Sequence, residues 1–228
     1  MALAREEVLR KVLHIFSGTI IPAGILFIPE FVRQSPLAEG IIPPNAYPAT
    51  IFAVVLSGFL IVEYLRVHVE TVGELYNRLF GSMLRKEEAR SMTGATYIVV
   101  ASLLCSILFI KQPEISAIVL STFIWGDGVA AIVGQSVGRI RIGKKSLEGS
   151  VACFALCILA FLFIFPRVPG LLEPWGGSVP LSLALIASFT ITVLELAPLR
   201  LTPRFAVNDN LLVPVVTGFV IRYLTPFF

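Results

Sequence analysis

The sequence predicts an all-α, polytopic integral membrane protein with about seven transmembrane helices and a cytoplasmic N-terminus. Three observations predict it. Of 228 residues, 56% are hydrophobic and only 14% are charged, whereas soluble domains carry about 25% charged residues. The apolar residues come in blocks near the ~20 residues that a helix needs to cross the hydrocarbon of a bilayer, not in the stripes of a soluble amphipathic core. Lysine and arginine, finally, gather in alternate connections.

The spans are expected at about residues 12–29, 49–62, 92–110, 115–137, 149–165, 180–196 and 211–227. The first follows Arg5, Arg10 and Lys11, as a signal peptide would. It carries His14, Gly18 and Pro22 and is followed by further spans, so it is read as a retained helix. The second and last are short or interrupted. Cys105, Cys153 and Cys157 all lie inside apolar blocks and read as packing residues, since two thiols on one helix face without further partners make a poor metal site.

Orientation follows from the basic residues. With the N-terminus inside, the cytoplasmic set is Arg5, Arg10, Lys11, Arg66, Arg78, Arg85, Lys86, Arg90, Arg139, Arg141, Lys144, Lys145, Arg200 and Arg204. Only Arg33, Lys111 and Arg167 lie opposite, and Arg222 sits inside the last span. The outer connections are short and rich in proline and glycine. The longest inner one, residues 63–91, is charged and free of proline and spaces Leu75, Leu79 and Met83 as an amphipathic helix does. It is expected to form a cytoplasmic helical hairpin on a single transmembrane catalytic domain spanning residues 1–228.

The chemistry is expected where polar residues enter apolar blocks. The chain has two aspartates, Asp127 and Asp209. Asp127 stands in Trp125-Gly126-Asp127-Gly128 inside the fourth block, where an acid is costly unless paired, wetted or bound to a cation. Its glycine neighbours Gly126 and Gly128 weaken the helix and open the backbone to a ligand; a hydrogen bond to a neighbouring helix is the plainer reading. After Gly134 and Gly138 comes a basic turn, Arg139 to Lys145, then Ser146, Glu148, Gly149 and Ser150. A helix beginning near Ser146 would offer free N–H groups and a positive dipole end to a phosphate, with Lys144 and Lys145 adding point charges. A positive-inside turn explains the cations but not the glycine–lysine–serine–glutamate order. Arg10, His14 and Gly18 share one face of the first span. Asn208-Asp209-Asn210 either caps the last helix or supplies ligands. Glu195 and Glu63 end spans at the same face. Acids that can hold Mg²⁺ and cations that can hold phosphate thus converge on one boundary, the parts that phosphoryl transfer requires. Nothing points to nucleic acid.

The order Arg10-Lys11-x-x-His14-x-x-x-Gly18, Gly126-Asp127-Gly128 with Gly134 and Gly138, Lys144-Lys145-Ser146-Leu147-Glu148-Gly149-Ser150, Glu195 and Asp209-Asn210 resembles the polyprenol kinase family. That family comprises dolichol kinases, phytol kinases and CTP-dependent diacylglycerol kinases, and the likeness spans nearly the whole chain. It implies CTP as phosphoryl donor and a need for Mg²⁺. On this resemblance Asp127, Asp209 and Asn210 hold the metal. Lys144, Lys145, Ser146 and Gly149, with Arg10, Lys11, Gly134 and Gly138, serve the nucleotide. A lipid alcohol enters from the inner leaflet, and its proton passes to Asp127, Glu148 or His14. The central element also resembles CDP-diacylglycerol synthases, but the region around Asn208-Asp209-Asn210 lacks their further C-terminal signature, which favours the kinase over cytidylyl transfer. An ion-coupled transporter is the rival outside enzymes, since intramembrane acids also mark transport sites. No inverted repeat is visible, and the polar residues crowd one face.

Overall fold

A computed structural model describes residues 5–81, 84, 88, 91–197, 200–202 and 205–227. The apolar blocks become helices: α1 (Arg5–Arg33), α2 (Tyr47–His68), α4 (Gly94–Leu108), α5 (Pro113–Ser136), α6 (Leu147–Leu159), α7 (Leu181–Leu196) and α8 (Asp209–Leu224), with α3 (Glu70–Phe80) between α2 and α4. Five helical segments, Lys11–Arg33, Pro44–His68, Pro113–Ser136, Leu147–Arg167 and Asp209–Phe227, are long and apolar enough to cross a membrane. Two further apolar helices, α4 and α7, are shorter, at 15 and 16 residues. The expectation of an all-α membrane protein therefore holds. Its one small departure is a pair of two-stranded hairpins: β1 (Arg141–Ile142) with β2 (Lys145–Ser146), and β3 (Arg200–Thr202) with β4 (Phe205–Ala206).

α5 is the centre. Ile115, Ile118, Leu120, Phe123 and Ile124 are almost wholly inaccessible, enclosed chiefly by α1, α6 and α8. α2 is the reverse. Val54, Val55, Leu60, Ile61 and Val62 are all exposed, an apolar belt far larger than a water-facing surface tolerates and suited to lipid. The three cysteines are buried and unpaired, as packing residues should be.

The glycines around Asp127 do a different job from the one the sequence suggests. α5 runs unbroken through them. A Cβ on Gly126 would lie 2.7 Å from Cys153 Sγ, and one on Gly128 would lie 2.5 Å from Ile15 Cδ1. They let α6 and α1 close onto α5; helix breaking is not their role. Gly18 serves the same contact from the other side, since its Cβ would lie 2.7 Å from Ile124 Cγ2.

Of the hairpin expected over residues 63–91, the first helix is described, and residues 82–83, 85–87 and 89–90 lie outside the described residues. The backbone turns extended at Val69 and re-enters a single helix, α3. Among the described residues no second helix follows before α4. Arg66 draws the returning chain onto the end of α2, donating to Glu88 O and Ser91 O at 3.0 and 2.5 Å. Met83, Arg85, Lys86, Arg90 and Arg204 lie outside the described residues.

Polar contacts sort the helix ends into two groups. Lys11 with Asp127, Glu63 with Thr93, Asn210 with Gly94, and Lys145 with Asp209 lie at one end. Asn45 with Ile110 and Arg222 with Leu108 lie at the other. The seven apolar helices therefore alternate in direction, and one end collects the residues of interest.

Candidate active site

The close α1–α5 contact decides the first cluster. It brings Lys11, 6% exposed, against Asp127, with Nζ 2.7 Å from Oδ2. His14 Nε2 stands 3.9 Å from the same oxygen, one helical turn along α1. Trp125 Nε1 donates to Thr19 Oγ1 at 2.9 Å and fixes the register of the two helices. Arg10 lies in α1, but its side chain is outside the described residues.

The second cluster hangs on the β1–β2 hairpin. Gly143 takes a positive φ of 61° at the first central position of its two-residue turn, which a type II′ turn requires. The turn points Lys145 inward. Its Nζ lies 2.6 Å from Glu195 Oε1 and 3.0 Å from Asp209 Oδ2, and it also donates to the Glu195 carbonyl. Burial alone would push the Lys145 pKa down, but the two carboxylates outweigh it and hold the ammonium above its ordinary value. The hairpin that carries Lys145 packs on the same end of α5 that carries Asp127, so the two clusters are neighbours.

Ser146 caps α6 by accepting the Gly149 N–H at 3.1 Å, which is where the sequence places the helix start. A Cβ on Gly134 or Gly138 would fall 2.6 or 2.7 Å from Ser146 Oγ. With Gly149, these glycines seat the hairpin against α5. Glu148 accepts the N–H groups of Arg139 and Ile140 at 2.8 and 3.1 Å. It clasps the hairpin base and takes no part in either ion-pair cluster. Lys144, Arg139 and Arg141 are exposed around the turn.

Asn208 caps α8 by accepting the Asn210 N–H at 3.0 Å, and Asp209 is the first helical residue. The capping role of this triplet thus falls on Asn208. Asn210 Nδ2 donates to Gly94 O at 2.9 Å and ties α8 to the start of α4.

A third network was only partly legible in the sequence. Glu63 accepts from Arg66, from Thr93 N at 2.8 Å and from Thr96 Oγ1 at 2.7 Å. Arg66 lies 5.2 Å over the Tyr76 ring, and Glu88 accepts the Gly94 N–H at 2.8 Å. Its signal was the Glu63–Arg66 spacing, a helical pair at the end of an apolar run.

Beside the first cluster lies a cavity of about 520 Å³, walled by α1, α2, α3, the start of α4, Asp127 and Asn210. Among the described residues, no group of three or more His, Cys, Asp or Glu side chains makes a ready metal cage. Mg²⁺ does not need one, because it is held by one or two carboxylates together with substrate phosphates. Glu195 Oε2 is buried without a hydrogen-bond partner, the kind of oxygen that a cation would satisfy. The donor set fits Mg²⁺ brought in with a nucleotide.

No family model and no solved structure matches the chain. Among curated proteins it is similar to a probable chloroplastic phytol kinase of Zea mays, 27% identical over 96% of this chain and 67% of that protein. It is similar to the chloroplastic phytol kinase 1 of Arabidopsis thaliana, 25% identical over 93% and 65%. A third relative is the CTP-dependent diacylglycerol kinase 1 of Saccharomyces cerevisiae, 24% identical over 69% of this chain and 50% of that protein. The chain spans about two thirds of the length of these phytol kinases and half that of the yeast kinase.

Proposed function

We propose that this chain, whose homologues are phytol kinases and CTP-dependent diacylglycerol kinases, is a membrane kinase. It would transfer the terminal phosphoryl group of CTP to the hydroxyl of a lipid alcohol: phytol, geranylgeraniol, a polyprenol such as dolichol, or diacylglycerol. The observation that carries this reading is the meeting, at one end of the bundle, of the Lys11–Asp127 pair with Lys145 held between Glu195 and Asp209. A transporter would not need a basic hairpin and a capped helix start beside its intramembrane acid.

The parts divide as follows. Asp127 and Asp209, with Glu195 and Asn210 at hand, would hold Mg²⁺, which neutralises phosphate charge. Lys145 is positioned to donate to phosphate oxygens, and Lys144 adds charge at the hairpin tip. At the start of α6, Ser146 takes the Gly149 N–H and the Ile140 carbonyl takes the Leu147 N–H, and the positive dipole end that remains favours an anion. Asp127 can accept the hydroxyl proton of the lipid alcohol, with His14 beside it as relay. Glu148 is the weaker candidate, because two backbone N–H groups already hold its carboxylate. Burial of the pairs keeps water from competing with the lipid acceptor.

The full topology belongs to the same proposal. Seven helices span the membrane, α3 lies on the cytoplasmic surface, and the N-terminus and the site face the cytoplasm. The alternation of helix ends and the gathering of basic residues at the site end support it. The test is purified protein supplied with CTP or ATP and a panel of phytol, geranylgeraniol, a polyprenol and diacylglycerol, with products read by mass. A lipid monophosphate formed with CTP is expected. No phosphorylated lipid from any pairing would refute the reading.

A further inference from the structure

We propose that the cavity between α1, α2 and α3 is the acceptor pocket, with the lipid hydroxyl directed at Asp127 and the tail leaving between α1 and α2. The proposal rests on the lipid-kinase reading above. The cavity lining has two chemically distinct sides. The polar side carries Glu63, Glu88 and Asp127 together with Lys11 and His14, which stand beside Asp127. The cations at this end, Lys11 and Arg66, are already paired with Asp127 and Glu63, and Glu88 adds a further carboxylate, so the space suits a triphosphate poorly, whereas a hydroxyl donor finds acceptors. The exposed cations of the hairpin, Arg139, Arg141 and Lys144, do not line it. Asp127 is the wall the two regions share, since it lines the cavity and the hairpin packs through Ser146 against Gly134 and Gly138, at the same end of α5.

The mouth is apolar. Leu13, Phe59, Val62 and Phe80 line the cavity and are also exposed, at 41%, 38%, 44% and 46%. α1 leans mainly on α5 and α2 mainly on α4, so the gap between them opens onto the lipid-facing belt of α2. Tyr76 and Phe80 of α3 roof the cavity, while Leu75 and Leu79 of the same helix are exposed beside them. An amphipathic helix placed this way sits at the membrane surface and lets a lipid pass beneath it without leaving the bilayer.

Gly58 gives the test. It lines the cavity, and a Cβ added there would meet nothing within 4 Å. A leucine at this position fills the space without displacing the protein, and it suits a helix better than glycine does. The probe is a long-chain primary alcohol carrying a diazirine near its hydroxyl, cross-linked without nucleotide in lipid nanodiscs and mapped by mass spectrometry. The expected labels fall on α1, α2 and α3. In Gly58→Leu they should fall at least about tenfold, with a matching rise in KM for the alcohol and unchanged CTP binding. Labels elsewhere, or a Gly58→Leu protein that loses CTP binding but keeps the alcohol labels, would overturn the assignment. Cavity labels without phosphoryl transfer from any donor would uphold the pocket and overturn the kinase reading, so the two failures are separable.

Discussion

Asp127 and Lys11 form a buried pair whose members cannot be removed singly without consequence. Asp127→Asn leaves the Lys11 ammonium without its counter-ion, a loss of about 3–5 kcal/mol for a buried pair. Stability and catalysis would then fall together. Lys11→Met in the Asp127→Asn background separates them, because it removes the orphaned charge. Thermal stability should recover in the double variant, while turnover stays at least about a hundredfold down. Recovery of turnover would remove Asp127 from the chemistry. Lys145→Ala should lower kcat by roughly a hundredfold or more, on the order of 2–4 kcal/mol, if it stabilises the transferring phosphoryl group. An effect confined to KM for nucleotide would make it a ground-state contact. Because the folded Lys145 pKa is raised, its ion pairs are complete at neutral pH and are lost only as pH rises through that raised value. A rate change between pH 6 and 9 should therefore persist in Lys145→Arg. At this scale the sequence was informative about which residues are polar in apolar surroundings, and Lys11, Asp127, Glu195 and Asp209 all stand at one end. It could not tell partners apart. Nothing in the order of residues assigns Lys145 to Glu195 and Asp209 or sends Glu148 to the hairpin backbone, since those pairings span up to 64 residues and depend on packing.

The elements show where local pattern misleads. Gly-Asp-Gly in an apolar block reads equally as a broken helix and as a close helix contact, because absence of a Cβ serves both. Only the neighbours, Cys153 and Ile15, decide for contact. Gly126→Ala and Gly128→Ala should accordingly destabilise the α5 packing and show it as lowered thermal stability in detergent. A local weakening of the helix alone would predict the opposite, since alanine is the better helix former. Residues 63–91 show a second limit of local pattern. Charge and apolar spacing predict a helix correctly over α3, but the tie from Arg66 to Glu88 and Ser91 is a long-range contact with no local signature. Arg66→Ala strands the Glu63 carboxylate and frees the returning chain, so a loss of about 3–5 kcal/mol is expected. Arg66→Lys should restore only part of it, because an ammonium cannot reproduce the fork of contacts. Equal stability of the alanine variant would show that the network is not holding the roof of the cavity.

Across the whole molecule, the length and apolarity of the blocks made the helical membrane fold legible, because a bilayer imposes helix length directly. α4 and α7 fall short of a full span on their own length, which is why a count from helix length alone stops at five. Topology can be read by labelling. Asn77→Cys on α3 and Ser178→Cys in the loop before α7 place thiols at opposite ends, and the native cysteines are buried and silent. The proposed arrangement predicts that a membrane-impermeant maleimide labels Ser178→Cys from outside intact cells and Asn77→Cys only after permeabilisation. The reaction itself is read by CTP labelled on its γ-phosphate, incubated with the protein, Mg²⁺ and phytol or diacylglycerol. The expected result is label in the lipid and release of CDP. Label released as pyrophosphate, with a cytidylylated lipid, would contradict it.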